Sequence, residues 1–228
     1  MKVMVFNGSP KRDASDMMHL TRAFLDGLRD ATEVDAHILH VIDCHIEPCK
    51  GCLGCMRNGG RCAHDDDMRA ILEEILASDV LIFSFPLYCY GMPAPLKALI
   101  DRTLPLSSIA MEKVDGRYEH VAQRDFSHLR YVMISGCGFP SGENNFEAME
   151  RQFQLMFGRD STILTVPESP MFNATEAVSV TTPFLEHVRQ AGREYAADGR
   201  IAEETMARLA VPMIPPEVYA AIVNGGAQ

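Results

Sequence analysis

Residues 1–15 read MKVMVFNGSPKRDAS, and the change of character within them sets the kind of fold that follows. Met1–Phe6 is a short apolar run that halts at Asn7-Gly8-Ser9-Pro10, as a strand does on entering a tight turn. From about Ser15 to Asp30, Met18, Phe24, Leu25 and Leu28 recur at helical spacing, with Asp and Arg on the opposite side. The alternation then repeats. Val34–Ile42 reads as a second strand. Met68, Ile71, Leu72 and Ile75 form one apolar helical face over Met68–Leu76. That helix is entered through Asp65-Asp66-Asp67, acids that suit a helix N-terminus. Asp79–Phe85 (DVLIFSF) is a near-continuous apolar run, the pattern of a central strand buried on both faces. Pro93–Leu104 is expected to be helical with Pro in its first turn. Tyr131–Ser135 and Ser161–Val166 supply a fourth and a fifth strand. Strands alternating with helices imply right-handed crossovers and a parallel sheet covered on both faces. The fold class is α/β, a doubly wound five-stranded parallel sheet with helices on both faces.

Two stretches exceed that minimum. Residues 107–126 are polar with one Asp-Gly turn and are expected to form an irregular excursion. From Glu176 onward the chain is expected to be a helical C-terminal extension, ending in the Pro-rich VPMIPPEVY segment. The domain layout is therefore 1–175, including a cysteine loop at 44–64 and the excursion, followed by 176–228.

Composition narrows the function. At 228 residues, with 47% hydrophobic and 23% charged residues, the chain can bury a substantial core. A net charge of −10 excludes a nucleic-acid surface, which needs clustered Lys and Arg. No apolar stretch reaches the roughly 20 residues that span a bilayer, and the N-terminal apolar run is too short for a signal peptide. Seven cysteines, an odd count, with no signal sequence point to thiols in a reducing cytoplasm.

In sheets of this kind, ligands bind beyond the carboxyl ends of the strands near the switch in strand order. Three loops lie there. In the first, Asn7–Ser15, Gly8 permits a tight turn, Ser9 and Ser15 offer hydroxyls, and Lys11 and Arg12 offer charge. The helix N-terminus that follows adds N–H groups suited to a phosphate. The segment matches neither G-x-G-x-x-G nor G-x4-G-K-[ST]. In the second, Phe85–Pro93, two tyrosines, two prolines and a glycine make a stiff apolar wall able to face a flat heterocycle. In the third, Ser135–Gly142, three glycines let the backbone approach a ligand closely. Each loop alone also reads as an ordinary strand–helix turn. Together they make a phosphate cup, an aromatic wall and a backbone cradle.

On KVMVFNGSPKR, CKGCLGC…GRCAHDDDM, DVLIFSFPLYCYGMPAPLKALIDR and SGCGFP, the chain resembles the NAD(P)H-dependent FMN reductase branch of the flavodoxin-like flavoproteins. The likeness covers roughly the first 140 residues well and the tail only loosely. It implies a flavodoxin-like fold with Ser9, Pro10, Arg12, Ser15, Asp16 and Met17 around the FMN phosphate. Pro86, Leu87, Tyr88, Cys89 and Gly91, with Ser135, Gly136 and Gly138, would bracket the ribityl chain and isoalloxazine. It further implies NAD(P)H as co-substrate, a small-molecule acceptor such as a quinone or free flavin, and a homodimer. Such chemistry asks little of side chains, because the cofactor carries the hard step, so no catalytic acid, base or nucleophile is expected. One departure is Asp16-Met17, where related loops often have Asn-Thr; an inward acid there would repel a phosphate. His19, His40 and His45 are scattered without a ligand spacing, and His64 reads as part of a solvated helix start.

Cys49, Cys52, Cys55 and Cys62 are spaced C-x2-C-x2-C-x6-C. Four thiolates with three at two-residue spacing suit an iron–sulfur cluster such as [4Fe-4S]. The run resembles the compact motif of iron–sulfur flavoproteins, which gives the alternative of an electron carrier. Many flavin reductases of the same fold carry a similar run without metal. Zinc commonly uses two separated C-x2-C pairs, and the second pair is absent here. A redox disulfide, or thiols lining a glycine-rich loop, completes the set of readings.

Overall fold

Val3 and Val5 turn to one side of their strand and Met4 and Phe6 to the other, and all four are buried. A strand apolar on both faces must lie inside a sheet covered on both sides. The computed structural model, which describes residues 1–114 and 116–225, shows that arrangement. In chain order its elements begin with β1 (Lys2–Asn7), α1 (Asp16–Ala31), β2 (Asp35–His40), α2 (Met68–Leu76), β3 (Val80–Pro86) and α3 (Ala94–Asp101). The hairpin strands β4 (Ser107–Val114) and β5 (Arg117–Ala122) follow, then β6 (Arg130–Gly136), α4 (Glu147–Phe157) and β7 (Thr162–Val166). The chain closes with α5 (Val178–Asp198), α6 (Glu203–Leu209) and α7 (Pro216–Gly225).

The main sheet has the order β2-β1-β3-β6-β7, with every neighbouring pair parallel. This is the flavodoxin-like doubly wound order, with its switch point between β1 and β3. One core layer sets Val3, Val5, Ile82 and Ile134 against Leu20, Phe24 and Leu28 of α1 and Val188 and Tyr195 of α5. The other sets Met4, Phe6, Phe83 and Met133 against Ile71, Ile75, Leu99 and Phe153.

Two parts differ from the sequence expectation. Within the expected excursion, Ser107–Val114 and Arg117–Ala122 are not irregular, since β4 and β5 pair as an antiparallel hairpin with one register shift between Ser107 and Met111. Both strands are mostly exposed, so no buried face imposes an alternation that could be read from the sequence. The hairpin is anchored at its base by Ile109 N–H donating to the Met56 carbonyl at 3.1 Å and at its tip by Arg117 donating to the Leu155 carbonyl at 3.3 Å. The helix α4 was not foreseen; it buries Met149 and Phe153, and Met156 and Phe157 pack against the same core layer. Beyond residue 176, α5 lies along α1. Gly27 and Gly192 meet there so closely that a Cβ on Gly27 would sit 1.9 Å from the Arg189 carbonyl oxygen. Arg189 and Arg193 both donate to Asp30, and these hydrogen bonds draw its carboxyl down to about 2.

Candidate functional site

The loop after β1 is built around the buried Asn7 side chain. Asn7 Oδ1 accepts from the Ser9 N–H at 3.0 Å, and Nδ2 donates to the Arg12 carbonyl at 3.0 Å. Arg12 is thereby held at φ 52, in the left-handed region that costs a non-glycine residue about 1–2 kcal/mol. Gly8 is required by close approach, since a Cβ there would lie 2.9 Å from Leu96 Cδ2. Ser9 and Ser15 are buried; Ser9 Oγ accepts from Lys11 N–H at 3.2 Å, and Ser15 caps α1 by accepting from Met17 N–H at 3.3 Å. The Arg12 guanidinium turns to Asp43, donating from Nε at 2.8 and 2.9 Å. That contact holds the Asp43 carboxyl below its usual range and raises Arg12. Asp16 accepts from the Asn173 side-chain amide, which also donates to the Ala14 carbonyl at 3.0 Å. The acid that broke the expected loop pattern thus has a structural partner.

The register Phe85↔Ser135 and Pro86↔Gly136 sets the second and third loops side by side. Leu87 N–H donates to the Gly136 carbonyl at 2.8 Å. Tyr88 and Gly91 exchange two hydrogen bonds of 3.0 Å across a turn whose central residues, Cys89 and Tyr90, have φ of 49 and 62. Tyr88 and Tyr90 are 47% and 55% exposed, so the rings stand out from the core instead of covering it. Gly136 is confined from below, because a Cβ would meet Met17 Cε at 2.4 Å.

A fourth loop, after β7, was missed by the sequence reading. Ser169 N–H donates to the Cys137 carbonyl and Glu168 N–H to the Phe139 carbonyl, both at 2.9 Å. The signal was present in Pro167-Glu168-Ser169-Pro170, a turn-rich run leaving the last strand at the same sheet edge. Glu168 is buried, and desolvation raises its carboxyl although Oε2 accepts from Met213 N–H at 2.8 Å.

These loops enclose a cleft of about 160 Å³. Of the anticipated residues, Ser9, Ser15, Asp16, Pro86, Leu87, Tyr88, Gly136 and Gly138 line it, joined by Lys11, Cys137, Ser169 and Pro170. Pro10, Arg12, Met17, Cys89, Gly91 and Ser135 stand outside that lining. Met17 and Ser135 are buried, and the Ser135 hydroxyl has no hydrogen-bond partner. A cavity of about 110 Å³ between the sheet and α6, lined by side chains such as Leu20, Ile134, Val188 and Leu209, contains no charged or aromatic lining among the described residues. The strand-edge cleft is therefore the candidate site.

The cysteine loop is organised by a different device. Arg102, just past α3, reaches into it and donates to Asp66 at 2.6 and 2.9 Å, to the Glu47 carbonyl at 2.6 Å and to Cys62 Sγ at 3.4 Å. Burial alone would raise Asp66, but these bonds and the Glu47 and Met68 N–H groups hold it at about 2. Cys55 is buried and its thiol is pushed up by desolvation, whereas Cys52 is exposed. Among the described residues no three His, Cys, Asp or Glu side chains converge as a metal-holding group. The donor set of a [4Fe-4S] cluster on Cys49, Cys52, Cys55 and Cys62 is thus not assembled. The small cavity lined by Cys62, His64 and Arg102 shares no lining residue with the cleft. No helix among the described residues is long and apolar enough to cross a membrane.

An iron–sulfur flavoprotein of Methanocaldococcus jannaschii is 32% identical over 106 residues, 46% of this chain and 53% of that one. An FMN-dependent NADH:quinone oxidoreductase of Azospirillum brasilense is 33% identical over 113 residues, covering 45% and 53%. The chain spans about half the length of the curated relatives it matches. Among solved structures, the NAD(P)H:quinone oxidoreductase of Methanothermobacter marburgensis aligns over 85% of this chain and 98% of its own, with a TM-score of 0.59 and 20% identity, a likeness of fold. A family model described as flavodoxin-like fold matches residues 1–159, in keeping with the parallel order and the β1/β3 switch, and the chain belongs to that family.

Proposed function

We propose that the chain is an FMN-dependent oxidoreductase that takes hydride from NADH or NADPH and passes it to a small acceptor such as a quinone or a free flavin. The observation that carries this reading is the convergence of two buried serines, an exposed tyrosine and a glycine-rich backbone on one cleft at the β1/β3 switch. The names of the relatives support it.

The residues fit the cofactor. Ser9 and Ser15 place hydroxyls at the start of a 16-residue helix, whose dipole favours an anion, and Lys11 adds a charge beside them. In this reading Asp16 stays with Asn173 and leaves the phosphate to those groups. Leu87 and Tyr88 form the wall that orients a flat ring, and Gly136 to Gly138 form the opposite edge. FMN, when bound, supplies the hydride-accepting and hydride-donating chemistry. The chain's part is to bind, orient and exclude water, with no side chain required to transfer a proton.

Ser9→Asp sets a carboxylate where the phosphate would lie. FMN affinity is expected to fall by about 100-fold, as for a like charge in a partly desolvated site. Unchanged flavin content after gel filtration would remove the assignment. The activity is tested by oxidation of NADH and NADPH by the FMN-loaded protein with a quinone acceptor; an FMN-loaded protein inert to both nucleotides refutes it. A homodimer is part of the proposal, and sedimentation as a monomer when FMN-loaded would remove it. A second reading, an iron–sulfur electron carrier, is favoured by the cysteine spacing and by the names of five relatives. Stoichiometric iron with broad absorbance near 400 nm in anaerobically purified protein would establish that reading over the first.

A further inference from the structure

We propose that His40 is the positioning residue of the phosphate loop, acting as a neutral ring with its proton on Nε2. The inference rests on the reading of this loop as a phosphate site.

Register brings the two residues together, because β1 and β2 pair Asn7 with His40. Asn7 is fully buried, and its amide orientation is settled by its neighbours. Its oxygen accepts from the Ser9 N–H, so its nitrogen is the atom that faces the Arg12 carbonyl at 3.0 Å and His40 Nδ1 at 3.1 Å. An amide nitrogen has two hydrogens and no lone pair to offer. One hydrogen goes to Arg12, and the other requires a bare Nδ1 on His40. The ring proton then sits on Nε2, which donates to Asp13 Oδ2 at 3.2 Å. The chain Asp13–His40–Asn7 ends on the Ser9 N–H and the Arg12 carbonyl, the two backbone groups that shape the turn. Arg12 is the residue of that turn with a left-handed backbone. His40 therefore acts on the phosphate through Asn7 and does not touch it.

A second proton on the ring would set Nδ1–H against the Asn7 N–H at the same 3.1 Å. Asn7 cannot answer by turning over, since that would aim its N–H at the Ser9 N–H. The contact must open, and with it the hold on Ser9 and Arg12. The charged groups around the ring act in both directions. Asp13 on Nε2 and Asp43 nearby favour the protonated ring; Arg12, paired with Asp43, and Arg22, paired with Asp13, oppose it. A doubly protonated ring is therefore expected to loosen the loop.

Two measurements decide the matter. In the ¹⁵N-labelled apoprotein, the His40 ring should show a protonated Nε2 and a bare Nδ1 at neutral pH. On acidification, the Asn7 side-chain amide and the Ser9 backbone amide should shift with the same midpoint as His40. A proton on Nδ1 at neutral pH, or an Asn7 amide indifferent to the ring, overturns the proposal. The second measurement is the ratio of FMN to riboflavin affinity, read by flavin fluorescence between pH 8 and 5.5. His40→Gln keeps an acceptor for Asn7 and does not titrate, while titration of the phosphate itself, near 6, is common to both proteins. The wild-type ratio should fall by about fivefold more than that of His40→Gln, the low end of coupling between two sites. His40→Leu should show a low ratio at every pH. Identical profiles for wild type and His40→Gln overturn the proposal. Wild-type protein that takes up neither flavin at any pH would sink the FMN reading instead, and the NMR result alone would then rule on His40.

Discussion

Arg102→Met is expected to remove about 3–5 kcal/mol of stability, because it strands a buried carboxylate without its counter-charge. The Arg102 and Asp66 side chains are 2% and 1% exposed. The bidentate contact is the main opposing charge for Asp66 inside the loop. Urea unfolding with an unchanged m-value would measure the loss, and a loss under about 1 kcal/mol would refute the argument. Arg102→Met combined with Asp66→Leu should restore most of it, because a well-packed apolar pair often matches a buried ion pair. A pH dependence follows with a fixed sign. Asp66 lies at about 2 in the folded chain and near the ordinary carboxylate value when unfolded. Its stabilisation is therefore present above about pH 4 and lost as pH falls towards 2, roughly 2 kcal/mol in all. In Arg102→Met that acid-dependent loss should shrink. Equal slopes in the two proteins would show that Arg102 is not what holds Asp66 down.

The second large effect is expected at the α1–α5 contact. Gly27→Ala places a methyl 1.9 Å from the Arg189 carbonyl oxygen, and Gly192→Ala places one 2.2 Å from the Phe24 carbonyl oxygen. The obstacle in each case is backbone, which cannot rotate out of the way. Alanine gains about 1 kcal/mol over glycine in helix propensity, yet the forced separation of two packed helices costs about 3 kcal/mol or more. For a chain of this size, a net loss of about 2 kcal/mol lowers the melting temperature by about 4–8 °C. Either alanine variant melting with the parent would show that the helices yield easily.

What could be read from the sequence follows from burial. Val80–Phe85 is buried throughout, so its apolar run announces a central strand without any periodicity to interpret. The turn at Gly8-Ser9-Pro10 is legible because glycine and proline restrict backbone geometry locally. The hairpin was not, because paired strands with both faces in water impose no apolar pattern. Nor was the role of Asp66, which the sequence places among acids suited to a helix start. It does accept from Met68 N–H at 3.3 Å, yet its charge is met by a residue 36 positions away. His40 was obscure for the same reason. Its meaning comes from the cross-strand pairing with Asn7, which a one-dimensional spacing of histidines does not contain. Ser169 and Pro170 reach the cleft only because β7 ends at the same edge as β6.

The α1–α5 contact also governs the order in which the molecule can assemble. Arg189 and Asp30 are 159 residues apart, and α5 shares a core layer with Leu20, Phe24 and Leu28 of α1, with the Phe24 and Tyr195 rings in contact. A ribosome adding about 5–20 residues per second delivers α5 some 10–30 seconds after α1. Throughout that interval the side of α1 that α5 will cover has no intramolecular partner. Newly made chains should be most prone to chaperone capture and aggregation during this interval, and mature protein should be largely spared.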